Sequence, residues 1–296
     1  MDTIRFKGFA IPGSVDLVEG TGGLPKILIR SDSGEAEVYL HGAHVTSFTP
    51  KGAKDLLWLS PLSPFASGKN IRGGVPVVFP WFGPHHARKD LPAHGFVRSK
   101  SWEIASSARL SDGRVRVALR THSDEATLAF WPHDFTLELA VTVGAELGLE
   151  LTATNTGCDP FAYEDCLHTH FAVGAVAASG VSGLEGSCCI DKVADGKRAV
   201  RAGEIKPAAA LTDVFTLAPP RTVIRDEKNG RSIVCEQEGF RGTVVWTPWT
   251  GAETNFPDIG ANWKDFLCVE AANCIDYDVT LLPGTSHRSA VRYRLA

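Results

Sequence analysis

From Phe135 to Val143 every odd position is apolar: Phe135, Leu137, Leu139, Val141 and Val143. After Gly144-Ala145-Glu146 the pattern resumes with Leu147, Leu149, Leu151 and Ala153. Alternation with a period of two fits a strand, whose successive side chains face opposite sides. Sustained over such lengths, it demands antiparallel strands with one buried face. Nothing else in the chain restricts the fold so much. The same signature recurs where Val115, Val117 and Leu119 alternate with Arg114, Arg116 and Arg120, and around Trp102 and Ile104. Residues 37–40 and a second run ending at Phe48 flank His41-Gly42-Ala43, which reads as two strands joined by a tight glycine turn. Residues 222–225 and 231–236 flank Asn229-Gly230, a strong signal for a two-residue hairpin turn. Residues 277–282, a Pro283-Gly284 turn and residues 290–295 end the chain in strand patterns. No stretch carries the pattern of a three-turn amphipathic helix, and 29 Gly and 17 Pro are spread over all 296 residues. The expectation is an all-β protein: a large antiparallel two-sheet β-sandwich, with residues 1–296 as a single domain.

Charge and apolar content exclude several partners. Lys+Arg is 30 against Asp+Glu 34, a formal net charge of −4, and no basic tract or basic-aromatic interleaving occurs. Nucleic acid is therefore not an expected partner. The apolar runs fall well short of the roughly 20 residues of a spanning helix, so no membrane partner is expected either. MDTIRFKGFAIPG at the N-terminus lacks the apolar core of a signal peptide, which makes the cytoplasm the expected location; a monomer is the expected state. Seven cysteines without a secretion signal argue against a disulfide framework, and the lack of a CxxC pair argues against a thiolate zinc site.

Six places carry groups suited to chemistry. Residues 71–84, IRGGVPVVFPWFGP, are too rich in proline for a helix. Residues 75–79 suit a short buried strand that Pro76 confines to an edge or an end. Gly73-Gly74 permits a sharp turn or a close approach to a ligand. Arg72 reads either as an anion anchor or as the surface arginine of a rigid loop. Trp81 and Phe82 offer flat apolar faces of the kind that floor a sugar ring. His94, in LPAHGFVR, sits on a loop expected to enter a strand. In DCLHTHF, His168 and His170 would share one strand face, as a hydrogen-bonded pair or as two metal ligands. Glu270 interrupts the apolar strand FLCVEAAN. Burial there is costly unless the carboxylate is paired with an arginine or used as a base. Asp213 in LTDVF suits a turn or a sheet edge, and Trp246 and Trp249 in VVWTPW suit the core or its rim.

Taken together and in order, IRGGVPVVFPWFGP, LPAHGFVR, LHTHF, VVWTPW and FLCVEAAN resemble the aldose 1-epimerase (galactose mutarotase-like) superfamily. Within it, the chain is most similar to the glucose-6-phosphate 1-epimerase, or hexose-6-phosphate mutarotase, branch. The similarity runs from HGAHVTSF at residues 41–48 to the last strand. It implies a β-supersandwich that interconverts the anomers of a sugar phosphate with no metal and no organic cofactor. Glu270 would be the catalytic base, His168 the catalytic acid and His94 a second active-site histidine. Asp213 would contact the sugar, and Arg72 and Arg98 would hold the 6-phosphate. Trp81 and Trp246 would belong to the sugar-binding surface. Two positions depart from the family pattern: Ala93 stands where a glutamine is usual, and His170 where a tyrosine is usual. The chemistry asks for a base on the O1 hydroxyl and an acid on the ring oxygen, with Glu270 ionised and His168 protonated at the start. The alternatives are an epimerase of unphosphorylated aldoses, a silent sugar-binding protein on the same fold, and a cupin-like metalloenzyme using His168 and His170.

Overall fold

The structure is a computed structural model describing residues 7–296. Residues 1–6, which begin the segment read for a signal core, lie outside the described residues. The alternating runs form one eight-stranded antiparallel sheet. Its order is Ser179–Ser182, Arg221–Asp226, Arg231–Glu238, Ser286–Leu295, Leu147–Asn155, Phe135–Val143, Val115–His122 and Glu103–Arg109. Phe135–Val143 pairs with Leu147–Asn155 from Val143↔Leu147 to Phe135↔Asn155. Every odd residue of both strands is buried, so the alternation marks one face toward the core and one toward solvent.

A second antiparallel sheet of eight strands runs Lys197–Val200, Cys188–Asp191, Leu211–Phe215, Gly242–Thr247, Phe266–Asn273, Asp165–Leu167 and Val77–Val78, with His170–Ala172 also paired to Phe266–Asn273. Leu139, Leu149 and Val117 of the first sheet join Val245, Leu267 and Val269 of the second in one buried cluster. Each such side chain contributes about 1.5–3 kcal/mol when fully buried. A four-stranded meander (Val15–Glu19, Pro25–Arg30, Gly34–Tyr39 and His44–Pro50) and the pair Phe161–Tyr163 with Val279–Leu281 complete the strands. The longest α-helix among the described residues, Glu125–Phe130, has only 6 residues and is closed by a capping box between Asp124 and Thr127. No helix among them is long and apolar enough to cross a membrane.

Phe266–Asn273 is buried at all eight positions, which explains why this strand shows no alternation. Leu267, Val269 and Ala271 face the core between the sheets. Cys268, Glu270 and Ala272 face the other way, under a cover of loops. Trp58 stacks on Phe266 at 4.2 Å, and the Ser60 hydroxyl donates to the Asp258 carbonyl, joining two of those loops. This covered face is where the polar groups gather.

One local expectation is corrected. The hairpin at Asn229-Gly230 closes through four residues, 227–230, because Asp226 pairs with Arg231. The buried Asp226 carboxylate sets that turn: it accepts from the side chains of Asn229 at 2.8 Å and Arg231 at 3.0 Å, and from the Gly174 N–H at 2.9 Å. Gly73 and Gly74, read as a sharp turn or a ligand approach, make the turn and press their backbone against protein. A Cβ on Gly73 would strike the Trp58 carbonyl, and one on Gly74 the Val45 carbonyl. Both have positive φ, so glycine fits on conformation as well as on space.

Candidate active site

Asp165–Leu167 and His170–Ala172 run against Phe266–Asn273 in one continuous register, with Leu167↔Ala271 and His170↔Cys268. The residues between continue that register, so His168 lies opposite Glu270 on the same face. Its Nδ1 is 3.3 Å from Glu270 Oε1. The contact is not aligned as a hydrogen bond, and Nδ1 is buried without a hydrogen-bond partner. His168 is 7 % exposed and Glu270 1 %. Cys166, two residues before His168 and on the same face, donates its S–H to Glu270 Oε2 at 3.3 Å.

Burial decides the charges. It pushes Glu270 up to about 8, an effect that the Cys166 S–H partly offsets. Burial also pushes His168 well below its usual value, helped by His170, His94, Arg72 and Arg98. Burial thus favours the uncharged forms of both groups, with the proton on Glu270 and His168 neutral, and works against an ionised glutamate beside an imidazolium. Both charged forms lose their water here, and no arginine pairs with the carboxylate among the described residues.

His94 has φ +65° on a loop that leads into the 3-10 turn Val97–Ser99, not into a strand. Its N–H donates to the Gly83 carbonyl at 2.8 Å, and its Nδ1 accepts from the Gly83 N–H at 3.2 Å. The second bond fixes the neutral tautomer with hydrogen on Nε2. The ring meets His168 edge-on at 5.5 Å, and burial together with Arg98 and Arg72 pushes it down to about 3. The neighbouring Gly95, φ +70°, has no room for a Cβ against the Phe79 carbonyl.

The two arginines differ. Arg98 belongs to the 3-10 turn, so the face-sharing expected of a strand does not apply to it. Its side chain still turns inward: Nη2 donates to the Ala93 carbonyl at 2.7 Å, and Nε is buried without a partner. It makes no ion pair among the described residues. Burial and then the charge of Arg72 bring it down to about 10. Arg72 is tied by Nε to Asp258 at 2.8 Å and lies over the Phe256 ring at 5.7 Å. Two guanidinium groups that repel each other, with Asp258 as their nearby carboxylate, leave positive charge at the histidine cluster.

Trp246 does reach the cluster, edge-on to His168 at 5.7 Å. Trp81 does not serve as a floor: it is 7 % exposed, packed on Phe96, and its indole N–H holds the Pro92 carbonyl at 3.0 Å. It braces the loop that carries His94. Phe82 is the less buried of the two, edge-on to His94 at 5.0 Å.

Asp213 is not brought to the cluster. It pairs with Val245, which pairs with Val269, whereas Glu270 pairs with Val244. Adjacent rows point to opposite faces. Asp213 is fully buried and held by Arg201 at 2.7 and 2.5 Å.

Sequence reasoning missed Cys166, Phe256 and Asp258. Cys166 was within reach, because Cys166, His168 and His170 alternate along one strand. Asp258 lies 186 residues from Arg72 and has no local signal. Among the described residues, the group that could hold a metal ion is His168, His170 and Cys268, whose ligand atoms lie within 4.8 Å of one another.

Known proteins share this arrangement of sheets and loops. Residues 25–294 match the aldose 1-epimerase family. A protein of Escherichia coli strain K12, provisionally named glucose-6-phosphate 1-epimerase, is 38% identical over 251 residues, covering 84% of this chain and 83% of that protein. One of Cenchrus ciliaris with the same provisional name is 33% identical over 289 residues, covering 93% of this chain and 86% of its own. The crystal structure of a provisionally assigned mutarotase of Salmonella typhimurium superposes with a TM-score of 0.84 at 32% identity, covering 95% of this chain and 97% of that one. The antiparallel sandwich expected from the alternating strands, in the galactose mutarotase-like form that the motif resemblance implied, is thus the observed fold. The chain belongs to the aldose 1-epimerase family of isomerases.

Proposed function

We propose that the protein interconverts the α and β anomers of a hexose 6-phosphate, with glucose 6-phosphate the first candidate, through the His168–Glu270 pair. The supporting observation is the surplus of arginine charge near a buried histidine–glutamate pair whose facing atoms are 3.3 Å apart. The provisional names of the Escherichia coli and Cenchrus ciliaris relatives point the same way.

In the proposed reaction, His168 gives its Nε2 proton to the ring oxygen and takes the Glu270 proton on Nδ1. Glu270, now ionised, takes the proton of the O1 hydroxyl as the C1–O5 bond breaks. The product is the open aldehyde with a free C5 hydroxyl. After rotation about C1–C2, the C5 oxygen attacks the other face of C1 and every proton retraces its path. The pair ends as it began, so no external acid, base, metal or cofactor enters the balance. General acid–base assistance of this kind contributes about 10²–10⁴-fold.

The substrate is tested through Arg98. Charge-assisted hydrogen bonds contribute about 1.5–3 kcal/mol each. Arg98→Ala is therefore expected to lower kcat/KM for glucose 6-phosphate about 10–100-fold and to leave glucose nearly unchanged. Arg98 is the cleaner choice, since Arg72→Ala would leave Asp258 unpaired near the phosphate. Exchange NMR on anomers of both sugars measures it. An equal loss on both sugars would make the arginine structural, and a wild-type preference for glucose would make the enzyme an epimerase of free aldoses.

The pH profile follows from the pair. The working form carries one shared proton. Raising the pH through about 8 removes it from Glu270, so kcat/KM falls there. Lowering the pH adds a second proton only well below the ordinary histidine value, so activity persists into mild acid. After correction for the substrate phosphate, whose second pKa is about 6, a plateau with its alkaline limb at about 8 is expected. A profile that falls with an ordinary histidine pKa would contradict the neutral resting state.

A further inference from the structure

His170 and Cys268 face each other directly across two strands, and His168 lies two residues from His170 on the same face. The two imidazole rings stack at 4.8 Å and 10°. Their hydrogen bonds leave lone pairs unspent. His170 commits its Nδ1–H to the His168 carbonyl at 2.9 Å, which leaves Nε2 as an acceptor, buried with no donor. His168 Nδ1 is buried without a hydrogen-bond partner as well. Cys268 is a free, fully buried cysteine. Two orphaned ring nitrogens beside a thiol are costly to bury for packing alone.

We propose that His168, His170 and Cys268 form a site for a thiophilic divalent ion of the zinc class, and that the ion switches the enzyme off by removing His168 from the proton pair. Two imidazoles and one thiolate match the borderline-soft ligand preference of zinc and not the oxygen ligands of magnesium or calcium. Zinc bonds of about 2.0–2.3 Å put tetrahedral donors about 3.3–3.8 Å apart. Ligand atoms within 4.8 Å of one another reach that by side-chain rotation of about 1 Å. The thiol proton leaves to solvent as the sulfur–metal bond forms. A fourth position remains toward Glu270, whose Oε1 is 3.3 Å from His168 Nδ1. His168 is the one ligand of the three with exposed surface, so the ion comes in past it from the substrate side. The inhibitory half of the proposal rests on the proton-pair reading; binding itself does not.

The test uses full-length protein freed of metal with a chelator and then titrated with zinc alone. Bound zinc is counted after gel filtration, and cobalt(II) in place of zinc reports a thiolate charge-transfer band. The expected result is one ion per chain, anomer exchange lowered at least about tenfold, and full recovery with chelator. His170→Phe and Cys268→Ala should each weaken zinc binding by about tenfold or more, with the cobalt band lost in the cysteine variant. Melting curves of both variants verify that they are folded, and each of the two is a check on the other. Substoichiometric zinc, or undiminished binding in both variants, overturns the site. Full occupancy with unchanged exchange overturns the inhibition and leaves the binding count standing. If no sugar is epimerised at all, the zinc count and the cobalt band still decide the site, while the functional reading fails separately.

Discussion

Glu270→Gln is expected to lose about 10²–10⁴-fold in anomer exchange and, at the same time, to melt at a higher temperature than the parent protein. Both effects have one cause. The carboxyl sits at 1 % exposure, next to Cys166 and His168 and with no arginine paired to it among the described residues, and burial raises it from 4.5 to about 8. A group whose pKa is raised by folding contributes stability below its unfolded value and loses it as the pH climbs through the folded value. The parent protein is therefore progressively destabilised by Glu270 from about pH 4.5 to about pH 8. Glutamine has no such charge and keeps an oxygen for the Cys166 S–H, so the melting-temperature gap should widen across that window and level off above it. Substrate binding should survive, because the arginines and Trp246 are untouched. Exchange NMR and thermal melts at about pH 5 and about pH 8 measure the two halves. A variant that keeps more than about a tenth of the exchange would remove Glu270 from the reaction, and a gap that stays constant with pH would mean that the carboxyl is not held protonated by burial.

The fold was legible because its outer sheet is half exposed. Leu147–Asn155 alternates cleanly, and so its faces could be assigned from sequence. The second sheet is covered on both sides at its central strand Phe266–Asn273, and there the pattern carries less. Phe266–Asn273 is apolar throughout except for Glu270 and the terminal Asn273, so Glu270 stood out, but the face it takes is set by pairing with Gly242–Thr247. Asp213 shows the cost of lacking that register. One residue of offset sends its carboxylate to the core side, where Arg201 holds it. Trp81 and Phe82 pose the same problem in a loop: adjacent aromatics take opposite directions, one bracing Pro92 and the other meeting His94. Arg98 kept its inward direction through a 3-10 turn, which argument from strand periodicity could not supply. Asp258 reaches Arg72 only because two distant loops meet over the sheet. Local pattern thus reveals which residues are out of place in an apolar setting. Long-range pairing decides whether they point at one another.

His168→Asn should lose about as much exchange as Glu270→Gln, whereas His170→Phe should stay within about tenfold of the parent, both measured in the presence of a chelator. The two histidines are stacked and both are buried, so stacking alone does not separate them. Their neighbours do. His168 lies opposite Glu270 and meets the rings of His94 and Trp246, which puts it between the carboxyl and the sugar surface. Asparagine there can accept and donate hydrogen bonds but cannot pass a proton from one side of a ring to the other. The step from Glu270 to the ring oxygen is then cut. His170 is turned inward, with Trp58 at 6.0 Å and Phe266 at 5.4 Å around its ring. Phenylalanine fits that aromatic surround and removes the orphaned Nε2, though it also gives up the bond to the His168 carbonyl. Loss of that bond loosens His168 slightly, which is the origin of the small decrease. The residual exchange of His168→Asn should also lose the acid tolerance of the parent, because Glu270 then titrates without a partner. Equal loss in the two variants would mean that the stacked pair acts as a unit and that the proton path runs through both rings.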